Sequence, residues 1–443
     1  MPHHIMKKLF ITAAVAAIIG SSASAQSKTD ELNDSIVSTT RVLMLENGKV
    51  SVSRPIDPEV RDKILTFYYD QFRHSQDPGA PAFLFMSKEQ NVMMGIGGTV
   101  RMRGWYDWGG AVPGNGFFPY LIPVVPDPTN DKKLGTTPAG TCLYFRVLGE
   151  NKFLGHFEAY IEANFNGWQG RDFRLKKAYA VVRDFTVGYA SSTFSDPAAT
   201  PSTVDAAGPN NKLDHTTVLV RYMPRITKNI LAAVSVETPD TYPSTDDVLT
   251  KTRSSYIPDF AAFLQYDWGV RNSQHIRLSA LYRSLPYRDL VAGKNYNPAG
   301  WGIQLSSVSH PVDAITLYAT ASYGAGYAGM GGDLVIGRYD LLPDASVDGK
   351  MYAPRSFGWN VGVQYNIRHN LFVSVMGSQT RFLPSQQVSP DEYKYGLMGA
   401  VNVFWNPIPR VQLGAEFDLG ERMNFSGAHR YARRFGLMGQ LTF

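Results

Sequence analysis

From Val92 onward, hydrophobic side chains recur at every second position, and several of the residues between them carry full charges. In "EAYIEANF", Ala159, Ile161, Ala163 and Phe165 alternate with Glu158, Tyr160, Glu162 and Asn164. "GWNVGVQYN" sets Trp359, Val361, Val363 and Tyr365 against Asn360, Gly362, Gln364 and Asn366, and "VQLGAEFDLG" repeats the design. A period of two belongs to a β-strand with one apolar and one polar face. A packed core would not hold such charges unpaired, so water lies on the polar side. The runs last about nine to twelve residues, beyond the usual five or six and matched to a strand tilted across a bilayer. Aromatics close the apolar faces, among them Tyr106, Trp108, Tyr266, Trp268, Trp359, Tyr365 and Trp405, where interfacial girdles sit. The expected fold is all-β, a transmembrane antiparallel β-barrel.

Sixteen candidate strands begin near residues 92, 141, 156, 173, 185, 216, 230, 258, 275, 300, 314, 355, 370, 394, 410 and 430. Short turns such as "GVRNSQ" and "NIRHN" follow the even-numbered strands. Long connections, at 109–140, 191–215, 238–257, 284–299 and 325–354, follow odd-numbered ones, with 167–172 the exception. Short periplasmic turns alternating with long outer loops is the outer-membrane arrangement. Inside lipid every backbone group needs a partner. The last strand, "RRFGLMGQLTF", must therefore pair with the first, where Val100, Met102, Gly104 and Tyr106 alternate with Thr99, Arg101, Arg103 and Asp107.

The opening "MKKLFITAAVAAIIGSSASAQ" has Lys7 and Lys8, an apolar core from Leu9 to Ile19, and Ala23-Ser24-Ala25 before Gln26. Residues 1–25 are expected to be a secretory signal peptide, with Met6 as the start, too short to span a bilayer. Its removal lowers the formal net charge from +5 to +3, too weak a bias to imply a nucleic-acid partner. Cys142 is the only cysteine, so an exported chain must be held by topology and burial. The expected location is the outer membrane of a Gram-negative bacterium.

Residues 26–90 are expected to be a periplasmic or plug-like segment ahead of the barrel at 91–443. "RVLMLENGKVSVS" reads as a hairpin about Asn47-Gly48. "DPEVRDKILTFYYDQFRH" reads as a helix with Asp57 as N-cap, Pro58 in the first turn, and a stripe of Val60, Ile64, Phe67 or Tyr68, and Phe72. A helix resting on its own hairpin, docking at the periplasmic rim, plugging the lumen and pairing with another subunit all fit that stripe.

Turning the polar faces inward gathers Arg101, Arg103, Arg146, Arg174, Lys176, Arg221, Arg277 and Arg434, with Glu158, Glu162, Glu416 and Asp418 as acidic counterparts. In a narrow wet lumen such charges focus the field and select solutes. The alternative is that each arginine pairs with a nearby carboxylate to hold the wall. The loop 191–215 has no strand pattern and carries Pro197, Pro201 and Pro209. Folded into the lumen it would narrow the pore, with Asp196 and Asp205 towards the basic wall; an ordinary surface loop is the other reading.

"FRLKKAYAVVRDFTVGYASSTFSDPAATPSTVDAAGPN" resembles the DcaP-type porins, trimeric outer-membrane channels. An arginine-bearing strand leads to Ala-Tyr, then Gly-Tyr-Ala-Ser-Ser-Thr-Phe-Ser-Asp, and a Pro, an Asp and a Gly-Pro-Asn follow. The likeness is sharp over 158–222 and diffuse elsewhere. It implies that the loop, with Ser195, Asp196, Asp205 and Asn210, is an internal constriction. It also implies passive uptake of small, often carboxylated solutes by a homotrimer. Family members carry an N-terminal extension able to form a coiled coil, which the single short helix here does not support. The terminal Phe443 also resembles the signal read by outer-membrane assembly machinery.

No cofactor is expected: there is no H-E-x-x-H and no C-x-x-C, and no helix is expected after the Gly324–Gly329 stretch "GAGYAG" to make a phosphate site. Two other classes remain open, a lipid hydrolase using His156 and a surface adhesin binding through 109–140 and 325–354. The expectation is a porin for small polar, anionic solutes, not an enzyme.

Overall fold

The computed structural model describes residues 34, 37–38, 40–46, 49–52, 58–68, 81, 83–87, 92–166, 171–269 and 272–443. The expected signal peptide, Asn47-Gly48, Asp57 and Phe72 lie outside them. Sixteen antiparallel strands close into a barrel. They are β1 Val92–Trp108, β2 Cys142–Asn151, β3 Gly155–Asn166, β4 Asp172–Val182, β5 Phe185–Ser191, β6 Thr216–Tyr222, β7 Ile230–Glu237 and β8 Asp259–Trp268. The second half comprises β9 Gln274–Ser284, β10 Ala299–Val312, β11 Ile315–Ala325, β12 Arg355–Arg368, β13 Leu371–Leu383, β14 Tyr393–Trp405, β15 Val411–Asn424 and β16 His429–Thr442. Each begins within one residue of its expected start, because period-two patterning marks strands directly.

Closure runs from Arg433↔Trp108 to Thr442↔Thr99. Phe443 then exchanges two backbone hydrogen bonds with Gly98, at 2.9 and 3.0 Å. Val100, Met102 and Tyr106 of β1, and Phe435, Leu437 and Leu441 of β16, stand exposed on the outside. Arg101, Arg103, Asp107 and Arg434 point inward and are buried. The outside of this barrel is apolar because lipid is its solvent there.

Two local irregularities matter for the lumen. The partner of β1 is split: β2 pairs with residues 92–99, and Lys132–Thr137 pairs with 103–108. Pro138, which has no N–H to donate, and Gly140, at φ +91°, fall in the break. In β4 a bulge sets Lys177 opposite Glu162 and Leu175 opposite Ala163. Strict alternation puts Arg174 and Lys176 on one face; the extra residue brings Lys177 to the inward position as well.

The N-terminal segment is a small α/β unit. Arg41–Glu46 pairs with Lys49–Val52, ending on Glu46↔Lys49, and runs parallel to Phe83–Ser87, a strand that the sequence reading missed. Phe83–Ser87 pairs in turn with β1, from Phe83↔Ile96 to Met86↔Met93, taking over its edge where β16 ends. The helix Pro58–Tyr68, α1, buries Val60, Ile64 and Leu65 in a cluster with Val42, Leu84, Met86, Met93 and Leu148. So α1 rests on its own sheet and on two inward-facing rim residues of β1 and β2. Arg410, before β15, donates to Thr40 Oγ1 and Pro81 O, each at 3.4 Å.

Outside, the long loops carry structure of their own. Thr250–Thr252, Tyr287–Asp289 and Lys294–Tyr296 form a three-stranded sheet. From the end of "GAGYAG" the chain makes a turn at Ala328–Met330 and then a one-turn helix, Asp333–Ile336, where the sequence reading expects none. Asp333 anchors it by accepting from Asn210 Nδ2 at 3.0 Å and the Tyr393 hydroxyl at 2.9 Å.

Candidate functional site

The loop between β5 and β6 lies against inward-facing residues of much of the wall. Near its start Thr193 N donates to Glu237 of β7 at 2.8 Å. Asp196 Oδ2 meets His275 Nε2 of β9 at 2.8 Å and accepts from Ser306 of β10. Arg277 donates to Ser195 O at 3.1 Å and stands 3.6 Å from Asp196 Oδ1. Burial alone would raise the Asp196 carboxyl, but Arg277 and then His275 hold it well below the usual carboxylate range.

Further along, Asn402 of β14 donates to Ser202 O at 2.9 Å. The backbone amides of Val204 and Asp205 donate to Glu416 of β15 at 2.9 and 2.6 Å. Asp205 Oδ2 accepts from Arg434 of β16 at 2.8 Å, and Oδ1 from Phe117 N at 2.9 Å. Arg434 grips Asp107 bidentately, at 2.7 and 3.0 Å, with its guanidinium over the Trp105 and Phe117 rings at 5.0 and 5.4 Å. On the return, Asn210 bonds Ser378 Oγ, Asp333 Oδ2 and Gly396 O.

The wall under this loop is shaped for it. A Cβ on Gly358 would lie 1.9 Å from Asn211 Oδ1, on Gly362 2.9 Å from Pro201, and on Gly414 2.8 Å from Val204. Phe404 and Met438, apolar residues on the inward face, cluster with Val204. Phe194 packs with inward Ala261 and Leu281. Residues 112–122 of the first outer loop pack likewise, with Phe117 and Ile122 against Met376, Met398 and Ala432.

This geometry divides the expected pore-lining residues. Arg277 and Arg434 are expected to line the pore; instead they are 0% and 1% exposed and clamp the loop. Their partners on the loop are Asp196 and Asp205, and such buried charges persist only when paired and hydrogen-bonded. Arg101 and Arg103 face inward on β1, Arg101 donating to Gln440 Oε1 at 2.7 Å and Arg103 to Ala139 O at 3.4 Å. Arg221 of β6 donates to Ser191 O at 3.3 Å.

On β2 to β4 the pairing is between neighbouring strands. Arg146 bridges Glu158 at 2.8 Å, and Lys176 bridges Glu162 at 2.9 Å. The hydroxyls of Tyr160 and Tyr179 donate to Glu162 and Glu158, at 3.0 and 3.4 Å. Tyr144, Tyr160 and Tyr179 line up across the three strands with ring centroids 5.9 and 5.3 Å apart. Arg174 pairs with Asp172 at 2.7 Å and is well exposed. His156 is exposed at the rim and makes no side-chain hydrogen bond among the described residues.

Several contributors escaped the sequence reading: Lys177, Asn402, Ser306, and Arg283, which is fully buried between Asp259 and Asp340 at 2.9 and 3.0 Å. The usable signal was glycine or a large apolar residue at inward positions, as at Gly358, Gly414, Phe404 and Met438.

No family model matches the chain, and no curated protein matches its sequence. Among solved structures it is similar to the outer membrane channel DcaP of Acinetobacter baumannii, at TM-score 0.68 and 20% identity over 81% of this chain and 99% of that one. It is also similar to an anion-selective porin from Comamonas acidovorans, at TM-score 0.50 and 10% identity over 80% of this chain and 100% of the other. The fold of this chain, a closed antiparallel barrel of sixteen strands, is the one seen in the outer membrane channel DcaP.

Proposed function

We propose that this chain is an outer-membrane porin through which small polar solutes, anionic or carboxylated ones preferentially, diffuse down their gradients. The loop 192–215 is its constriction. The observation that carries this reading is the loop's course: it is tied to β7, β9, β10 and β13–β16. A path across the barrel then runs between the loop and the wall of β1 to β6. On that wall Lys176 and Lys177 are part-exposed, while Arg101, Arg103, Arg146 and Arg221 are 4–6% exposed behind the surface. Set against Glu158 and Glu162 they leave a cationic excess whose field, rather than direct contact by every arginine, draws anions. Ser195, Asp196, Asp205 and Asn210 fix the loop rather than meet the solute. The barrel's partners are outer-membrane lipids, the assembly machinery acting on the strand that ends at Phe443, and two further copies in a homotrimer. The described residues of the N-terminal segment, between 34 and 87, serve as a periplasmic unit docked at the rim.

The test is reversal potential in planar bilayers under a salt gradient. Arg101→Ala with Arg103→Ala lowers the anion-to-cation permeability ratio about twofold or more, as loss of two lumen charges requires. An unchanged ratio sinks the selectivity assignment, and a chain that inserts but passes no current sinks the porin reading itself.

A further inference from the structure

The outward face at the outer rim is uneven. On β5 to β11 the outward positions near the rim are Tyr189 and Ser191, Thr216, Val236, Phe260, Tyr282, Ala299 and Trp301, and Tyr323, none of them charged. On β12, β13, β16 and the strand beside β1, the same level carries Arg355, Arg381, Arg433 and Lys132. The registers fix their heights. Arg381 pairs with Phe357, two residues from Arg355, and with Tyr395. Arg433 pairs with Trp108, which pairs with Lys132. All four therefore sit within or just above the aromatic girdle, on the membrane side of the wall.

None of the four has a carboxylate partner among the described residues. Arg355, Arg433 and Lys132 are exposed. Arg381 lies over the Tyr395 ring at 5.3 Å, with its Nε lacking any hydrogen-bond acceptor. Acids of adjoining segments are already engaged: Asp131 holds Arg430 at 3.1 Å, and Glu421, only 6% exposed, accepts the Tyr431 hydroxyl. Uncompensated cations facing lipid are costly unless anions of the membrane itself meet them. From β12 to the strand that holds Lys132 the patch spans six strand spacings, roughly 28 Å, which suits a large headgroup with two separated phosphates better than a single small ion.

We infer that Arg355, Arg381, Arg433 and Lys132 form a binding site for the phosphates of an outer-leaflet glycolipid on one side of the barrel. It rests on the membrane-spanning fold and not on the solute assignment. The uncharged rim of β5 to β11 has no such site. Bound lipid would seat this flank of the barrel firmly in the outer leaflet, while the opposite flank exchanges its lipid freely.

The test uses the full chain in phosphatidylcholine nanodiscs carrying diphosphoryl lipid A or its dephosphorylated form, with retained lipid counted by native mass spectrometry. The diphosphoryl form is expected to be retained preferentially. Each cation changed to Gln weakens retention about fivefold, and Arg355→Lys with Arg433→Lys preserves it. Folding is checked by heat-modifiable gel mobility, and the solute permeability ratio stays unchanged. Equal retention by the quadruple Gln variant, or by both lipid forms, overturns the site. Displacement by millimolar inorganic phosphate identifies a free-anion site and overturns the lipid assignment. Cross-links between protomers through Arg433→Cys show that the patch is an interface between copies, and also overturn it.

Discussion

Two stretches of the same inner wall use arginine in opposite ways. On β2 to β4, Arg146 meets Glu158 and Lys176 meets Glu162, partners 12 and 14 residues away across adjacent strands. On β9 and β14 to β16, the charges meet a loop: Arg434 to Asp205 spans 229 residues, and the Val204 amide to Glu416 spans 212. The first stretch is a charged surface complete in itself. The second is a socket, with glycines where the loop presses in and clamped ion pairs where it is held. Inward orientation alone therefore does not make a residue part of the pathway.

The sharpest way to break this contrast is to empty the socket. Arg434→Ala leaves Asp107 and Asp205 buried without their cation, a loss of about 3–5 kcal/mol. Thermal unfolding falls, and single-channel conductance rises and flickers as the loop tip lifts. Unchanged conductance and melting would mean that the loop is held elsewhere.

A smaller effect is expected from Gly358→Val, whose Cβ would lie 1.9 Å from Asn211 Oδ1. Such overpacking costs about 1–3 kcal/mol and shifts conductance. Gly104→Val, on the lipid face where an added Cβ comes no nearer than 3.8 Å to its surroundings, serves as the silent control. If the two behave alike, the socket has no special fit.

On the self-contained side, Arg146→Ala and Glu158→Ala should be coupled by about 0.5–3 kcal/mol in a double-mutant cycle. Arg146→Ala lowers anion preference and leaves current noise unaltered. Noise like that of Arg434→Ala would erase the distinction between the two stretches.

pH adds a graded probe of the loop junction. Burial pushes the Asp333 carboxyl up to about 7, against the hydrogen bonds from Asn210 and Tyr393. A folded-state pKa above the ordinary value of about 4 means stability is fully present below that value and is lost as pH rises through about 7. Protection factors in 192–215, with the intrinsic pH dependence of amide exchange divided out, should be lower at pH 8 than at pH 5, with Asp333→Asn flattening the dependence. A loop that loosens on acidification instead would contradict the assignment. The smallest effect belongs to Arg174→Ala: its pair with Asp172 is exposed, and such pairs contribute about 0–1 kcal/mol, so melting should not move measurably.

Much of the barrel was legible because its code is local. Strand starts, lipid face and the pairing of β16 with β1 follow from alternation and from the demand that no backbone group go unpaired in lipid. The helix Pro58–Tyr68 was legible from its proline and apolar spacing. Its third strand, Phe83–Ser87, was not, since five residues beside a barrel edge carry little period of their own. The loop's aspartates were visible as candidates, and resemblance directed attention to the loop as a constriction. Which arginines they would bury was not visible.

By itself, then, the sequence determined that this chain makes a closed, lipid-facing barrel with charges turned inward, because a two-residue period is read within each strand. Only the tertiary structure decided that Arg277 and Arg434 clamp a loop while Arg146 and Lys176 stay with their own wall. That outcome depends on where a 24-residue connection comes to rest across the barrel, and so on contacts between residues 82 to 229 positions apart.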